Sequence, residues 1–331
     1  MLTKKKYINY YERVLDLNPK HYKALNNLAA AHISLISENV DVEYNICKGE
    51  FLLGEMSKIN PNDKSVLLNS GSLLLSKGDL LNEGRIFKKA LDSYFRAFTQ
   101  NGIESTYYYY VAEGLINWLK SENGNVSDDW KNYVDKYEQF IKRHKSFSEL
   151  MRVWVTHLTQ YILVNKVPNQ WLFNRQIKQY EKLIRLDPEN EVFYCNIGSV
   201  YAMKSDYDAN QEEAIRSAIK YYKIGHVKAP GFDLITQGLA TSYQLLYKTT
   251  NNAEDLIKAF DYSVIDYSKR GDGFILAEIL SIYKELHEID PDNSTYRKKK
   301  IISLMIKHVR ISKTFFSAIG RIIFHKHNPV K

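Results

Sequence analysis

Asp206, Asp208 and Asn210 stand at alternate positions, the spacing at which a calcium loop presents its first three oxygen ligands. The pattern then fails: the sixth position needs glycine for a sharp turn and is Gln211, and the twelfth needs a bidentate glutamate and is Ser217. His325 and His327 could contribute to a metal site, yet two histidines without a third ligand read as solvated side chains. Cys47 and Cys195 are the two cysteines, 148 positions apart, which excludes a zinc ribbon and a disulfide framework and fits a reducing compartment. Without a histidine partner in its pattern, Cys195 reads as a small buried hydrophobe. The chain has no phosphate-loop motif, no Gly-x-Gly-x-x-Gly, no His-Glu-x-x-His and no Gly-x-Ser-x-Gly. The expectation is a non-catalytic protein with no metal site and no cofactor.

The elements explain more than the chemistry does. With 331 residues, 44% of them hydrophobic, the chain can bury a large core, about two domains' worth. Glycine (15) and proline (7) are too scarce for the turn chemistry of β-sandwiches or nucleotide-binding α/β folds. Five of the prolines recur in one context: Asn18-Pro19, Asn60-Pro61, Asp187-Pro188, Ala229-Pro230 and Asp290-Pro291. Proline cannot donate the hydrogen bond a helix interior needs and pushes its predecessor out of the α region, so each site ends one helix before another begins. Helical spacing follows four of them: Leu25, Leu28, Ala29 and His32; Leu67, Ser70, Gly71 and Leu74; Tyr194, Ile197, Gly198 and Tyr201; Thr236, Leu239, Ala240 and Tyr243. A second helix packs back through Glu83, Phe87 and Ala90 after Lys77-Gly78-Asp79, and through Ala218, Tyr222 and Gly225 before Pro230.

This pattern resembles the tetratricopeptide repeat, a 34-residue helix-turn-helix, over roughly Tyr7 to Phe95 and Gln170 to Tyr267; the Lys223-Ile-Gly225-His226 stretch is also similar to Sel1-like relatives. Pro19 to Pro61 and Pro188 to Pro230 each span 42 residues, and the eight extra residues are expected in the polar turns Ser37–Glu43 and Ser205–Glu212. The resemblance implies an all-α, right-handed superhelical solenoid of helix pairs. Four segments follow: a repeat block over 1–100, an irregular aromatic-rich helical segment over 101–168, a second repeat block over 169–292 and a basic amphipathic helix over 293–331. The middle segment and its exit hold all four tryptophans, Trp118, Trp130, Trp154 and Trp171, which either fill a core or line a ligand pocket with Tyr107–Tyr110 at its rim.

In the family, the first helix of each pair lines a concave groove. The matching positions here are Asn27, Asn69 and Asn196, with Lys23, Asn26, Ser72 and Ser199 beside them. An asparagine amide can hold the backbone of an extended peptide without reading its sequence. The implied function is a scaffold binding a protein or peptide segment; the groove lacks the run of lysine and arginine that would clamp a carboxylate terminus.

The net charge of +8 is concentrated at one end. From Asn293 onward there is no Asp or Glu but there are ten Lys and Arg, so the first 292 residues carry a net −2. Arg297, Lys298, Lys299, Lys300, Lys307 and Arg310 are candidate anion contacts, which supports an alternative reading as a nucleic-acid-associated adaptor, or weak attachment to acidic membranes. The N-terminus lacks the apolar core and cleavage site of a secretory signal, and no window approaches the ~20 apolar residues of a membrane span. A cytoplasmic protein is expected, with the sequons at Asn125 and Asn293 arising by chance. A stripe through Ile301, Met305, Phe316 and Ile319 would let the basic helix cap the last repeat. Deleting everything after Asn293 is therefore expected to lower the unfolding temperature or cause aggregation. A truncated chain of unchanged stability in a thermal melt would show that the segment does not cap.

Overall fold

The structure, a computed structural model, describes residues 2–289, 291, 297–299, 301 and 302, with side chains from Lys6 onward. Among these residues there is no strand; fourteen α-helices run from Leu2 to Ile289, and residues 297–299, 301 and 302 are helical as well. The chain divides into two compact units, Met1–Asn169 and Gln170–Lys331. The first holds α1 (Leu2–Leu17), α2 (Tyr22–Ser37), α3 (Val42–Ile59), α4 (Lys64–Leu81), α5 (Gly84–Phe98), α6 (Ser105–Ser121), α7 (Asp128–Arg143) and α8 (Phe147–Asn165). The second holds α9 (Gln170–Leu186), α10 (Glu191–Ser205), α11 (Gln211–Lys228), α12 (Asp233–Thr250), α13 (Ala253–Arg270) and α14 (Gly273–Ile289).

Both units are all-α stacks of helix pairs. α2 packs on α3, α4 on α5, α10 on α11 and α12 on α13. First helices also lie beside one another: α2 by α4, α4 by α6 and α6 by α8 in one unit, α10 by α12 in the other. The row thus continues into the segment whose sequence has no proline-marked pattern.

Four of the marked prolines build one turn. In each, the residue before proline accepts from the amide three residues on: His21 to Asn18 (3.0 Å), Asp63 to Asn60 (3.2 Å), Asn190 to Asp187 (3.4 Å) and Phe232 to Ala229 (3.0 Å). Proline's fixed φ suits the second position of such a turn, where its missing N–H costs nothing. The turn delivers a cap in two cases. His21 accepts from the amide of Ala24 at the start of α2, and the Asp63 carboxylate accepts from Ser65 and Val66 at the start of α4. Asn82 and Asn251 take the left-handed conformation (φ 52° and 55°) that ends α4 and α12 before a two-residue connection.

The 42-residue spacing is absorbed differently from the expectation. The α2–α3 and α10–α11 connections occupy only residues 38–41 and 206–210, so the turns do not hold all of the extra length, and α3 and α11 run 18 residues each. Lys77-Gly78-Asp79 is likewise not a turn but the last part of α4. Gly78 sits there because a Cβ would meet the Phe87 ring at 2.7 Å.

Three tryptophans are core. Trp118, Trp130 and Trp154 are buried in the first unit, and their indole N–H groups donate to Glu122 (2.6 Å), the Leu115 carbonyl (2.8 Å) and Glu138 (3.3 Å). Nothing of them is left for a ligand, so the pocket reading of these residues does not hold. Trp171 lies in the other unit, with the Arg175 guanidinium over its ring. The amphipathic segment from Met305 through Phe316 and Ile319, and its capping role, lie outside the described residues.

Close helix approaches at glycine set the pair geometry. A Cβ on Gly71 would stand 2.7 Å from the fully buried Tyr94 ring, whereas one on Gly54, in the interior of α3, would meet nothing within 4 Å. Gly71→Ala is therefore expected to destabilise the protein by about 1–3 kcal/mol through overpacking. Gly54→Ala should stabilise it by about 0.5–1 kcal/mol through helix propensity. Denaturant melts of the two variants check the opposite signs.

Candidate functional site

On α4, Asn69, Ser72, Ser76 and Asp79 fall on one face by helical spacing, and on α6 Tyr110, Glu113 and Asn117 do the same. With Ile33, Ile36 and Ser37 of α2, all of these except Asn69 line a cavity of about 420 Å³ on the face where these first helices lie side by side. Leu75 and Leu80 supply further apolar wall. A second cavity, about 670 Å³, flanks α6 on the α8 side, with His157, Gln160 and Val164 among its lining. Glu113 and Asn117 border both cavities, so α6 forms a polar ridge inside one groove.

Tyr94 belongs to α5 but reaches the groove floor. Its ring lies over Gly71, which leaves room for it, and its hydroxyl meets Ser72 Oγ at 2.9 Å. Ser72 Oγ also lies 3.2 Å from the Leu68 carbonyl, to which it donates, so the tyrosine hydroxyl is the donor to serine. The second unit repeats the arrangement. Tyr222 covers Gly198 and donates to Ser199 at 2.9 Å, while Ser199 donates to the Cys195 carbonyl at 3.0 Å. Burial pushes both phenols upward, so they remain protonated donors at neutral pH.

The candidates from the sequence are therefore distributed as follows. Asn69 Nδ2 donates to Asn26 Oδ1 (3.0 Å), which ties α4 to α2. Asn27 donates instead to the Tyr11 hydroxyl of α1 (2.9 Å). Lys23 is exposed on α2, and Asn196 is half-buried on α10 with Ser199 one turn on. The structure brings together Asn26 and Asn69, with Ser72 one turn further along α4; Asn196 and Ser199 belong to the other unit. Arg297 is buried and Lys298 and Lys299 are exposed, while Lys300, Lys307 and Arg310 lie outside the described residues.

Asp79, Glu113 and Asn117 were not among those candidates. Asn117 donates to Asp79 Oδ1 (2.8 Å) and accepts from Lys120 Nζ (3.1 Å). Burial raises the Asp79 carboxyl, opposed by the Asn117 amide and by Lys120. Glu113 is raised by burial first and then by the charge of Asp79, opposed by Lys120 and His157. A signal for the α6 pair was available: Glu113 and Asn117 are polar residues, four apart, in the otherwise apolar run from Val111 to Leu119.

Elsewhere, burial pushes the Cys195 thiol up to about 12, against a smaller opposing effect of the Ser199 hydroxyl. A thiol so held is no nucleophile at neutral pH. Among the described residues no group of three or more His, Cys, Asp or Glu is placed to hold a metal ion, and no helix is long and apolar enough to cross a membrane.

No protein-family model and no curated protein sequence matches the chain. Solved structures give distant likenesses. The S. pombe nuclear import adaptor Nro1 is 13% identical, with 85% of this chain and 98% of that one covered at a TM-score of 0.37. A human IFIT1 dimer with m7Gppp-AAAA is 13% identical, with 91% and 67% covered at 0.30. Yeast Tom70 is 12% identical, with 98% and 92% covered at 0.25. Likenesses of this order say nothing of what this chain binds.

The raised Glu113 carboxyl has a consequence for stability. A carboxyl whose folded value lies above its unfolded one favours folding while protonated, and that advantage is lost as pH rises through the folded value. Glu113→Gln removes the penalty of the charged form. It is expected to raise the unfolding temperature slightly at pH 7, with the difference closing at pH 4, below the ordinary value of 4.5. Thermal melts at the two pH values check this; an equal shift at both would mean that charge is not the cause.

Proposed function

We propose that this chain is a non-catalytic interaction scaffold, and that the groove along α2, α4 and α6 receives an extended segment of a protein partner. The carrying observation is the cavity of about 420 Å³, with apolar sides and a ridge of hydrogen-bonding groups. An extended peptide presents unpaired N–H and C=O groups along its length, and such a groove can satisfy them. The Asn26–Asn69 bond uses one donor and one acceptor and leaves the Asn69 carbonyl and the Asn26 amide for a bound backbone. Ser72 keeps a lone pair after its two bonds. Lys23 lies on α2 beside Asn26, Asn27 is taken up by Tyr11 of α1, and Asn196 and Ser199 would offer the equivalent surface in the second unit. The two thiols, exposed Cys47 and buried Cys195, are both free, which supports a reducing compartment such as the cytoplasm.

The alternative reading, a nucleic-acid adaptor, rests on the basic segment after Asn293. Phosphate contacts there would make binding fall steeply with salt and disappear with nuclease.

Ser76 lines the cavity and is half-buried. Ser76→Trp would fill the groove with an indole while leaving the core intact. On an array of 15-residue peptides from the native proteome, the full chain is expected to bind a reproducible set in the presence of nuclease, with affinity at least tenfold weaker in Ser76→Trp. A set bound equally by the variant, or no peptide bound at all, overturns the groove reading.

A further inference from the structure

We infer that the chain from Arg297 returns to the second unit as a closing helix, built into its core through Ile301, and is not a free arm that recruits an anionic partner. This holds whatever the groove of the first unit receives, since it concerns other helices.

Residues 297–299, 301 and 302 are helical, and burial sorts them by face. Arg297 and Ile301 stand one turn apart and are 8% and 3% exposed, whereas Lys298 and Lys299 between them face solvent. Ile301 belongs to one continuous core with Leu276, Ile279, Ile282 and Leu286 of α14 and Phe260 of α13. Most helical stability in proteins comes from packing an apolar face, and here that face is in place. An arm free in solution would leave Ile301 in water and hold Arg297 out for an anion.

The stack has a use for such a helix. α14 packs on α13 and lies beside α12, whose Gln244 amide donates to the Glu278 carboxylate. The last helix of a stack leaves an apolar face uncovered unless a further helix closes it, and Ile301 enters the core that the α14 stripe forms. Arg297 changes role with this placement. Its alkyl stem can lie along apolar surface, and its Nη1 is buried without a hydrogen-bond partner among the described residues, so it is not offered to a phosphate in solution. Of the candidate anion contacts, Lys298 and Lys299 are those seen on the open side.

The test uses the full chain and two readouts: thermal melts, and limited trypsin digestion with mass spectrometry of the bonds after Lys298 and Lys299. Ile301→Asp puts a charge into the core, and Ile301→Ala removes packing alone. Expected in both is an unfolding temperature lower by about 5 °C or more. Cleavage at the two bonds should be at least about tenfold faster than in the parent chain, because a bond in a packed helix is cut only when that helix opens. The double variant Lys298→Glu, Lys299→Glu should melt within about 1 °C of the parent, as exposed substitutions do. Unchanged melting and cleavage in both Ile301 variants overturn the closing helix. So does an equally large drop in the double lysine variant, which would make charge and not packing the cause. If Ile301→Asp fails to fold, Ile301→Ala decides by the same two readouts.

Discussion

In two of the helix pairs, α4 with α5 and α10 with α11, a tyrosine must cross a glycine for the pair to close. Tyr94 over Gly71 and Tyr222 over Gly198 occupy space that any Cβ would take, with contacts of 2.7 Å in both cases. The crossing lets a residue of the second helix reach through to the groove side of the first, where its hydroxyl finds Ser72 or Ser199 at 2.9 Å. Buried phenols need such partners, since an unpaired hydroxyl in the core costs free energy comparable to a lost hydrogen bond. One constraint thereby fixes the pair geometry, the floor of the groove and the use of its serines. The same glycine–serine pair appears in both units because the same problem is solved in both.

The groove owes its polarity to what the core excludes. Stacked helices bury their large side chains between pairs, and three of the tryptophans, with the buried Tyr137 and Tyr94, are spent there with their polar atoms satisfied. The face along which the first helices line up therefore carries asparagine, serine and the carboxylates of Asp79 and Glu113. Packing brings these two acidic groups together from separate helices, α4 and α6. Asn117 relays between Asp79 and Lys120, which steadies one carboxylate, and Glu113 has no such bond. That imbalance gives the groove its electrostatic character.

The architecture was legible in the chain because its signals are local. Asn18-Pro19, Asn60-Pro61, Asp187-Pro188 and Ala229-Pro230 each specify a hydrogen-bonded turn within four residues, and the large–large–small–large spacing after them specifies a helix face. The asparagines were legible as a recurrent position but not as a shared surface. Asn69 turns to Asn26 and Asn27 turns to Tyr11, and which neighbour an amide meets depends on the helix packed beside it. Gly78-Asp79 misled for a related reason: a glycine can mark a turn or make room for a ring, and Phe87 is nine residues away in the next helix.

Sequence by itself determined the all-α class, the helix pairs, the turns at four of the marked prolines and the concentration of positive charge after Asn293, since each depends on backbone chemistry or composition within a short window. Only the tertiary structure decided that α6 joins the row of α2 and α4 without a proline mark, that the connections within the long repeats are short, and that Asp79 and Glu113 line one cavity. Electrostatic effects of this kind arise between residues 34 positions apart along the chain, and packing alone sets the distance and the burial on which they depend.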